Sequence, residues 1–249
     1  MSVNVKPVNI LKRPVPTYRH EKKYLMDVSD AEVLRLRLEK LLARDVNTKD
    51  EGIYKIRSIY FDDYWDTAYE EKVMGILRRR KYRIRVYNDS DDIIRLECKV
   101  KRNSYISKPS AVLTREETER LLNGDCSFLL DNPQPLCVEF YYEYMTNVMR
   151  PKVIVDYERE PFVFKEGDVR VTFDMDLRAS MLRYDLFDSD LPSLRVLDPG
   201  QVIMEVKYTE FLPSFIRELL PQHGGMVQSL SKYIMARDKL MYLSASAGY

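Results

Sequence analysis

The segment KYRIRVY at residues 81–87 alternates cationic and apolar side chains and decides how this chain folds. Successive side chains of an extended strand point to opposite faces, so Lys81, Arg83 and Arg85 share one face. Residues 93–101 repeat the pattern, and their ionic face carries Arg95, Glu97, Lys99 and Lys101. The turn-forming segment NDSDD at 88–92 separates the two runs. Together they predict an antiparallel hairpin with one densely ionic face.

The same alternation recurs along the chain. It places on shared faces Arg19, Glu21 and Lys23; then Arg170, Thr172 and Asp174; then Ile203, Glu205 and Lys207. Two further strands are predicted at 57–61 and 153–159. A single charged face would be ordinary solvated surface, because Lys and Arg are mostly exposed. Several such strands instead predict an α+β fold, in which a closed or nearly closed antiparallel β-barrel turns its ionic face inward and helices cover its apolar outside.

Five helices are predicted around these strands. Their expected positions are a helix capped by Ser29 or Asp30, one opened by the capping box of Thr114 and Glu117, one over 136–148, one over 213–220 behind Pro213, and a last one over 229–243. The tyrosine hydroxyls of Tyr24, Tyr82 and Tyr233 are candidates to line a pocket, whereas Trp65 is predicted to pack in the core.

The chain is predicted to form a single domain over 18–243, between an extended tail at 1–17 and a short tail at 244–249. No Gly/Ser-rich linker divides it, and three cysteines without C-x-x-C spacing favour reduced thiols. Neither a signal peptide nor an apolar run of about 18 residues is present. We therefore expect a cytoplasmic protein that does not insert into the membrane itself, with a membrane partner possible.

Charge is balanced overall but sorted locally. Forty Lys and Arg face 39 Asp and Glu, so no global basic field points to a nucleic-acid polymer as partner. A cation in a dry core costs several kcal/mol, and two or three glutamates could not offset six or more. The interior must therefore be wet and hold an anion. Phosphate fits the Arg and Lys donors, and Mg²⁺ or Mn²⁺ fits the glutamates.

Familiar catalytic motifs are missing from the sequence. It has no G-x-x-x-x-G-K-[ST], G-x-G-x-x-G, H-E-x-x-H or G-x-S-x-G segment. The two histidines, His20 and His223, have no catalytic partners in the sequence and are interpreted as surface or supporting residues. These absences leave the ionic strands as the feature that carries function.

Eight short segments follow one another along the chain: RHEKKY at 19–24, SIYFDD at 58–63, RKYRIR at 80–85, LECK at 96–99, YER at 157–159, RVTFD at 170–174, MEVK at 204–207 and SKY at 231–233. In this order they resemble the VTC domain of the triphosphate tunnel metalloenzymes. The resemblance spans 18–237 and implies a tunnel-shaped barrel with a C-terminal helix near one tunnel end. That superfamily binds triphosphate or polyphosphate with a divalent metal.

The resemblance also implies site residues. The catalytic set would be Lys23, Arg83, Arg85 and Glu205; the phosphate ligands would be Arg19, Lys23, Arg83, Arg85, Lys99, Arg159, Arg170, Lys207 and Lys232; the Mn²⁺ or Mg²⁺ ligands would be Glu205, helped by Glu21 and Glu97. The implied activity is polyphosphate polymerase, which moves the γ-phosphate of ATP onto phosphate or a polyphosphate chain.

Two departures keep other activities open. The eukaryotic polyphosphate polymerase carries a basic residue where this chain has Ser229, and the E-x-E-x-K opening of the tunnel enzymes is reduced to Glu21 and Lys23. The alternatives are a tripolyphosphatase or nucleoside triphosphatase on the same scaffold, and a non-catalytic polyphosphate-binding module.

Overall fold

The ionic hairpin lies within one large antiparallel sheet. A computed structural model describes residues 19–46, 48, 52–103, 105–181, 183–221 and 229–246. The strands of this part of the chain are β1 (His20–Asp27), β2 (Ala43–Arg44), β3 (Tyr54–Asp62), β4 (Arg78–Tyr87), β5 (Ser90–Arg102), β6 (Tyr105–Ser107), β7 (Ser110–Leu113), β8 (Arg150–Phe164), β9 (Val169–Ser180), β10 (Leu194–Arg195) and β11 (Gln201–Tyr208). The predicted tail at 1–17 and His223 lie outside the described residues.

The helices are α1 (Val28–Leu38), α2 (Thr67–Val73), α3 (Arg115–Leu122), α4 (Pro135–Thr146), α5 (Ser214–Leu219) and α6 (Lys232–Ser246). The capping box of Thr114 and Glu117 is confirmed at the start of α3. Some helix boundaries were wrong by two or three residues: Asp27, not Ser29 or Asp30, is the N-cap of α1, and α6 begins and ends three residues later than predicted. Helix α2 was not predicted. No helix in the described part of the chain is long and apolar enough to cross a bilayer.

The strands follow the order β1-β11-β9-β8-β3-β4-β5-β6, and each neighbouring pair is antiparallel. This order brings the first strand close to the last. Among the described residues, an isolated bridge between Arg19 and Ile106 joins the two ends of the sheet. The α+β class and the nearly closed antiparallel barrel are therefore confirmed, although no continuous ladder closes the circle.

The β4–β5 hairpin is tighter than the sequence indicated. Tyr87 pairs with Ser90, so the turn contains only Asn88 and Asp89, each with a φ of 53°. Asn and Asp tolerate this left-handed conformation, which matches the twist of the flanking strands. The predicted turn at 88–92 was too long, because its last three residues belong to β5.

Helices cover the apolar outer face of the sheet as predicted. Phe140 of α4 and Leu121 of α3 pack on Ile84 and Leu96 of the hairpin. On the opposite side of the barrel, α1 and α5 pack on β9 and β11. Both Tyr24 and Tyr82 belong to these outer cores, so neither lines the space that the sheet encloses; Tyr82 lines a pocket on the outer side instead, next to Asp62 and Arg80.

Helix α6 packs differently, because it covers part of the inner face. Its residues Tyr233 and Ala236 contact a cluster that includes Tyr60 and Val155. Register places those two residues beside Arg83 and Ser58, on the ionic side of the sheet. The C-terminal helix thus lies at one end of the enclosed space, as predicted. Trp65, in contrast, is 77% exposed and does not pack in the core.

Candidate functional site

We call the space bounded by the inner face of the sheet the lumen. Within the described residues, the charged side chains that form ion pairs or hydrogen bonds there are ten cations, Lys23, Lys81, Arg83, Arg85, Lys99, Lys108, Arg159, Arg170, Lys207 and Lys232, and five carboxylates, Glu21, Asp45, Glu97, Asp174 and Glu205. Arg95 and Lys101 share this face of β5 in the strand register but form none of these contacts in the described part of the chain. The sequence had indicated two or three glutamates, and the lumen holds three, Glu21, Glu97 and Glu205, together with two aspartates. Cations still outnumber carboxylates two to one, so the pairing cannot be complete.

Glu205 of β11 lies where three cations meet. Its carboxylate oxygens lie 2.7 Å from Lys207 Nζ, 3.3 Å from Lys23 Nζ and 3.4 Å from Arg159 Nη2. Lys23 stands opposite Glu205 in the β1–β11 ladder, which fixes this meeting. Because these cations outweigh the cost of burial, the pKa of Glu205 falls well below its usual range. Glu205 is therefore ionised at neutral pH.

Glu21 shares Lys23 with Glu205. Lys23 Nζ lies 3.3 Å from an oxygen of each carboxylate, and Lys99 Nζ lies 2.8 Å from Glu21. Burial and the neighbouring charge of Glu205 raise the pKa of Glu21, but the lysines outweigh them and lower it to about 2. These two carboxylates are thus neighbours, as the predicted metal site requires.

Asp174 is a site residue that the sequence prediction missed. It accepts two hydrogen bonds from Arg159, at 2.6 and 2.7 Å, and an ion pair from Lys232 of α6. Its side chain is fully buried. Alternation with Arg170 along the strand had placed Asp174 on the ionic face, so the sequence pattern could have identified it as a site residue. Asp174 holds two of the predicted phosphate ligands in fixed positions.

Arg83 and Arg85 differ in their partners. Arg83 pairs with Glu97 at 2.6 Å and donates to the Tyr60 hydroxyl at 3.1 Å. Arg85 donates only to hydroxyls among the described groups, those of Ser58 and Tyr157, each at 3.0 Å. The charge of Arg85 is therefore not balanced by a carboxylate contact. Tyr60 and Tyr157 line this part of the site, although the sequence prediction did not select them; Tyr233, which it did select, has its ring centroid 5.3 Å from Lys81 Nζ.

Two predicted phosphate ligands lie toward the margins of the site. Arg170 pairs with Asp45 at 2.7 Å and donates to the Tyr54 hydroxyl at 2.8 Å. Arg19 pairs with Asp168 at 2.7 Å, and both side chains are about half exposed. The structure therefore does not bring Arg19 together with the other predicted ligands.

The segment formed by Ser229, Leu230 and Ser231, just before α6, receives three lysines from three elements. Lys23 donates to the Leu230 carbonyl at 3.1 Å, and Lys81 donates to the Ser231 hydroxyl at 3.0 Å. Lys72 of α2 donates to the Ser229 hydroxyl at 2.7 Å. A cation from another part of the chain thus reaches the position where the polymerase resemblance fails. Because α2 was not predicted, Lys72 could not be placed there from sequence.

Burial, together with the crowding of like charges, lowers the pKa values of several lumen lysines. Burial and the nearby cations lower the pKa of Lys81 to about 7, although Tyr60 opposes this effect. Burial also lowers the pKa of Lys99, to about 8. Burial would raise the pKa of Tyr60, but Arg83, Lys81 and Arg85 lower it to about 7. The lumen resists further positive charge and favours negative charge.

These shifts predict that polyanion binding takes up protons. A phosphate chain beside Lys81 and Lys99 stabilises their charged forms, so their pKa values should rise on binding. The affinity for tripolyphosphate should then fall as the pH rises through 7 to 8. Calorimetry in buffers of different ionisation enthalpy would measure the uptake. Lys81→Arg, which keeps the charge but does not titrate, should take up fewer protons; equal uptake would refute the assignment to Lys81.

The lumen carboxylates could bind a divalent metal only together with other ligands. No group of three or more His, Cys, Asp or Glu in the described residues is placed to hold a metal by protein ligands alone. Mg²⁺ and similar ions, however, are often held by one or two carboxylates together with substrate phosphate oxygens. Glu21 and Glu205 fit that pattern. Glu97, the third predicted ligand, pairs with Arg83 and Lys108 and so shares no cation with Glu21 or Glu205, which share Lys23.

Fold and site define a class of α+β protein whose antiparallel sheet surrounds a lumen with an excess of cations. A family model described as the VTC domain matches residues 18–241. The chain therefore belongs to the VTC domain family, which confirms the resemblance found in the sequence.

Solved structures of similar shape are distant in sequence. One, described as a putative adenylate cyclase from Bacillus halodurans, is 12% identical with a TM-score of 0.44, covering 77% of this chain and 82% of that one. The PH1819 protein of Pyrococcus horikoshii is 13% identical with a TM-score of 0.42, covering 93% and 90%. No curated protein matches this chain.

Proposed function

We propose that this protein is a metal-dependent polyphosphate polymerase, which transfers the γ-phosphate of ATP to phosphate or to a growing polyphosphate chain. The observation that carries the proposal is the lumen with ten cations and five carboxylates. Buried charge without a counter-charge is costly, so this lumen calls for a polyanion. Membership of the VTC domain family supports the choice of a phosphate chain.

Arg83, Arg85 and Arg159 would bind the phosphoryl group that is transferred. Their side chains are held in place before any substrate arrives, by Glu97, by the Ser58 and Tyr157 hydroxyls and by Asp174. Preorganised cations stabilise charge that develops in the transition state without reorganising at that moment. Phosphoryl transfer depends mainly on such positioning and electrostatics. Lys23, between Glu21 and Glu205, would complete the catalytic set.

On the inner face of β9, two buried polar atoms of the described residues lack a hydrogen-bond partner and would gain one from a phosphate chain. They are Nε of Arg170 and Oγ1 of Thr172, which alternation places on the inner face of β9. Buried polar groups nearly always have a hydrogen-bond partner, so an exception needs a physical explanation. A phosphate oxygen, which accepts several hydrogen bonds, would satisfy both.

Glu205 and Glu21 would hold the Mn²⁺ or Mg²⁺ ion together with phosphate oxygens. Bound there, the metal would supply Lewis-acid stabilisation of charge on the phosphate oxygens. In the reaction the bond from the γ-phosphorus to the ADP oxygen breaks, and an oxygen of the acceptor phosphate forms the new bond. Lys207 and Lys232 would bind the neighbouring phosphates.

We place this activity in the cytoplasm, since the buried thiols Cys98, Cys126 and Cys137 are unpaired.

A product assay tests the proposal. Purified protein incubated with ATP and Mn²⁺ should release ADP and form an acid-stable phosphate polymer. Orthophosphate without polymer would instead establish the hydrolase. Tight tripolyphosphate binding without turnover under any metal would establish a non-catalytic binding module. Either of these results would overturn the polymerase proposal.

A further inference from the structure

Exposed apolar side chains are concentrated where α2 connects to β4. We call this turn, residues 73–78, the tip. Val73, Met74, Ile76 and Leu77 are all exposed there, Met74 by 70% and Leu77 by 60%. Gly75, with a φ of 75°, allows the sharp reversal that presents them together. Contiguous exposed apolar residues on a soluble domain commonly mark a binding surface.

The tip is anchored to the sheet, so it is a fixed projection of the fold. The amide of Asn103 donates to the Leu77 carbonyl at 2.9 Å, which joins the tip to the end of β5. Arg79, the second residue of β4, donates to the Ile76 carbonyl. Tyr105, half exposed, begins β6 beside this junction. The apolar side chains therefore protrude from a defined backbone instead of lining a groove.

Cations surround the tip. Arg78 stands opposite Arg102 and Arg79 stands opposite Lys101 in the β4–β5 ladder. Like charges placed opposite each other destabilise a sheet, so an external anion bound to such pairs would relieve their repulsion. No ion pair involving these four residues is found in the described part of the chain, although Glu71 lies near Arg79 and three more carboxylates, Asp62, Asp63 and Glu143, line the same pocket. Burial and the nearby Arg79 and Lys99 lower the pKa of Lys101, which reflects the same crowding.

We propose that the tip docks this protein on an anionic lipid bilayer, with Met74 and Leu77 entering the interface and Arg78 and Arg102 contacting lipid headgroups. A protruding apolar turn ringed by cations matches a surface that is apolar inside and anionic outside. Charge complementarity favours this occupant over a second copy of the chain, whose own tip would be equally cationic. The inference is independent of the proposed polymerase activity.

Docking at the tip would orient the lumen. Lys72 lies in the last turn of α2, immediately before the tip. The neighbouring charges of Lys72 include those of Lys23 and Lys99, which are lumen residues. The end of the lumen that carries the segment from Ser229 to Ser231 would therefore face the membrane.

Vesicle flotation tests the proposal. The intact protein should bind vesicles of phosphatidylcholine with about 30% phosphatidylserine but not pure phosphatidylcholine, and salt should weaken binding. Leu77→Glu should lower the bound fraction at least about tenfold, the effect of withdrawing roughly two CH₂ groups from lipid. Leu36→Glu, at an α1 leucine that is 51% exposed, is the matched control and should bind like the parent.

Several results would overturn the proposal. They are failure of the parent protein to bind anionic vesicles, equal losses in both glutamate variants, or loss of vesicle binding when tripolyphosphate saturates the lumen. A dimer of the parent that Leu77→Glu dissociates, without vesicle binding, would assign the tip to self-association.

A direct signal comes from Met74→Trp in a Trp65→Phe background, since Trp65 is the only tryptophan. Its emission should shift to the blue with anionic vesicles and stay unchanged with neutral ones.

Discussion

Glu205→Gln is expected to lower metal-dependent ATP turnover by at least about 100-fold, the size of effect seen when one preorganised electrostatic group is removed. Glutamine keeps the shape of the side chain but cannot supply the ionised oxygens that a divalent cation prefers. Binding of tripolyphosphate should persist or tighten, because the variant removes a negative charge from the lumen. Steady-state kinetics across a Mn²⁺ titration, together with calorimetric binding, would measure both effects.

Glu97→Gln is the matched control for this prediction. Glu97 is also a buried lumen glutamate, but its oxygens contact Arg83 and Lys108. Its variant should change how Arg83 is held while leaving the Mn²⁺ concentration for half-maximal activity unchanged. If Glu205→Gln keeps full turnover, Glu205 is not the metal ligand. If Glu97→Gln shifts the metal requirement instead, Glu97 takes that role.

Arg57→Met is expected to cost the fold about 3–5 kcal/mol, the usual effect of removing one partner from a buried ion pair. Arg57 is fully buried on the outer face of β3. It forms a bidentate pair with Asp156, at 2.8 and 2.9 Å, and donates to the Leu186 carbonyl at 3.3 Å. The variant would leave the Asp156 carboxylate buried without its counter-charge. Thermal unfolding should show a midpoint lowered by roughly 10 °C for a domain of this size.

Lys55→Met provides the control on the same face of the same strand. Lys55 pairs with Asp89 at 2.7 Å, but both side chains are about one-third exposed. Such pairs contribute about 0–1 kcal/mol, so its midpoint should change little. The double variant Arg57→Met/Asp156→Leu should recover part of the loss, because no uncompensated charge remains. A single variant as stable as the parent would show that the pair contributes little to folding.

Alternation of charged and apolar residues was enough to predict the main strands and their inner faces. Arg83, Glu97 and Glu205 lie where a period of two places them, because a strand has no other way to sort its side chains. The capping box at Thr114 could also be predicted, because its two partners are only three residues apart in the sequence. Helix α2 was not predicted, because its seven residues carry no apolar stripe and none of them is buried.

Contacts between side chains on distant strands and helices could not be predicted from the sequence. Asp174 was visible as an inward residue, but its contacts with Arg159 and Lys232 depend on how β8, β9 and α6 meet. The same holds for Lys72, which reaches Ser229 across 157 positions of the chain. Tyr60 and Tyr157 were passed over because Tyr is common in cores, and only strand register shows which tyrosine hydroxyls face the arginines.

The sequence by itself determined that this chain forms an antiparallel α+β barrel with an ionic interior, since alternation is a local property of each strand. The ordered motifs were also enough to identify the VTC domain family. Only the tertiary structure decided how the interior charges are paired, because long-range register chooses the partner of each buried group. It also showed that the apolar turn after α2 projects among cations that form no ion pair within the described residues, since exposure depends on which neighbours the fold supplies.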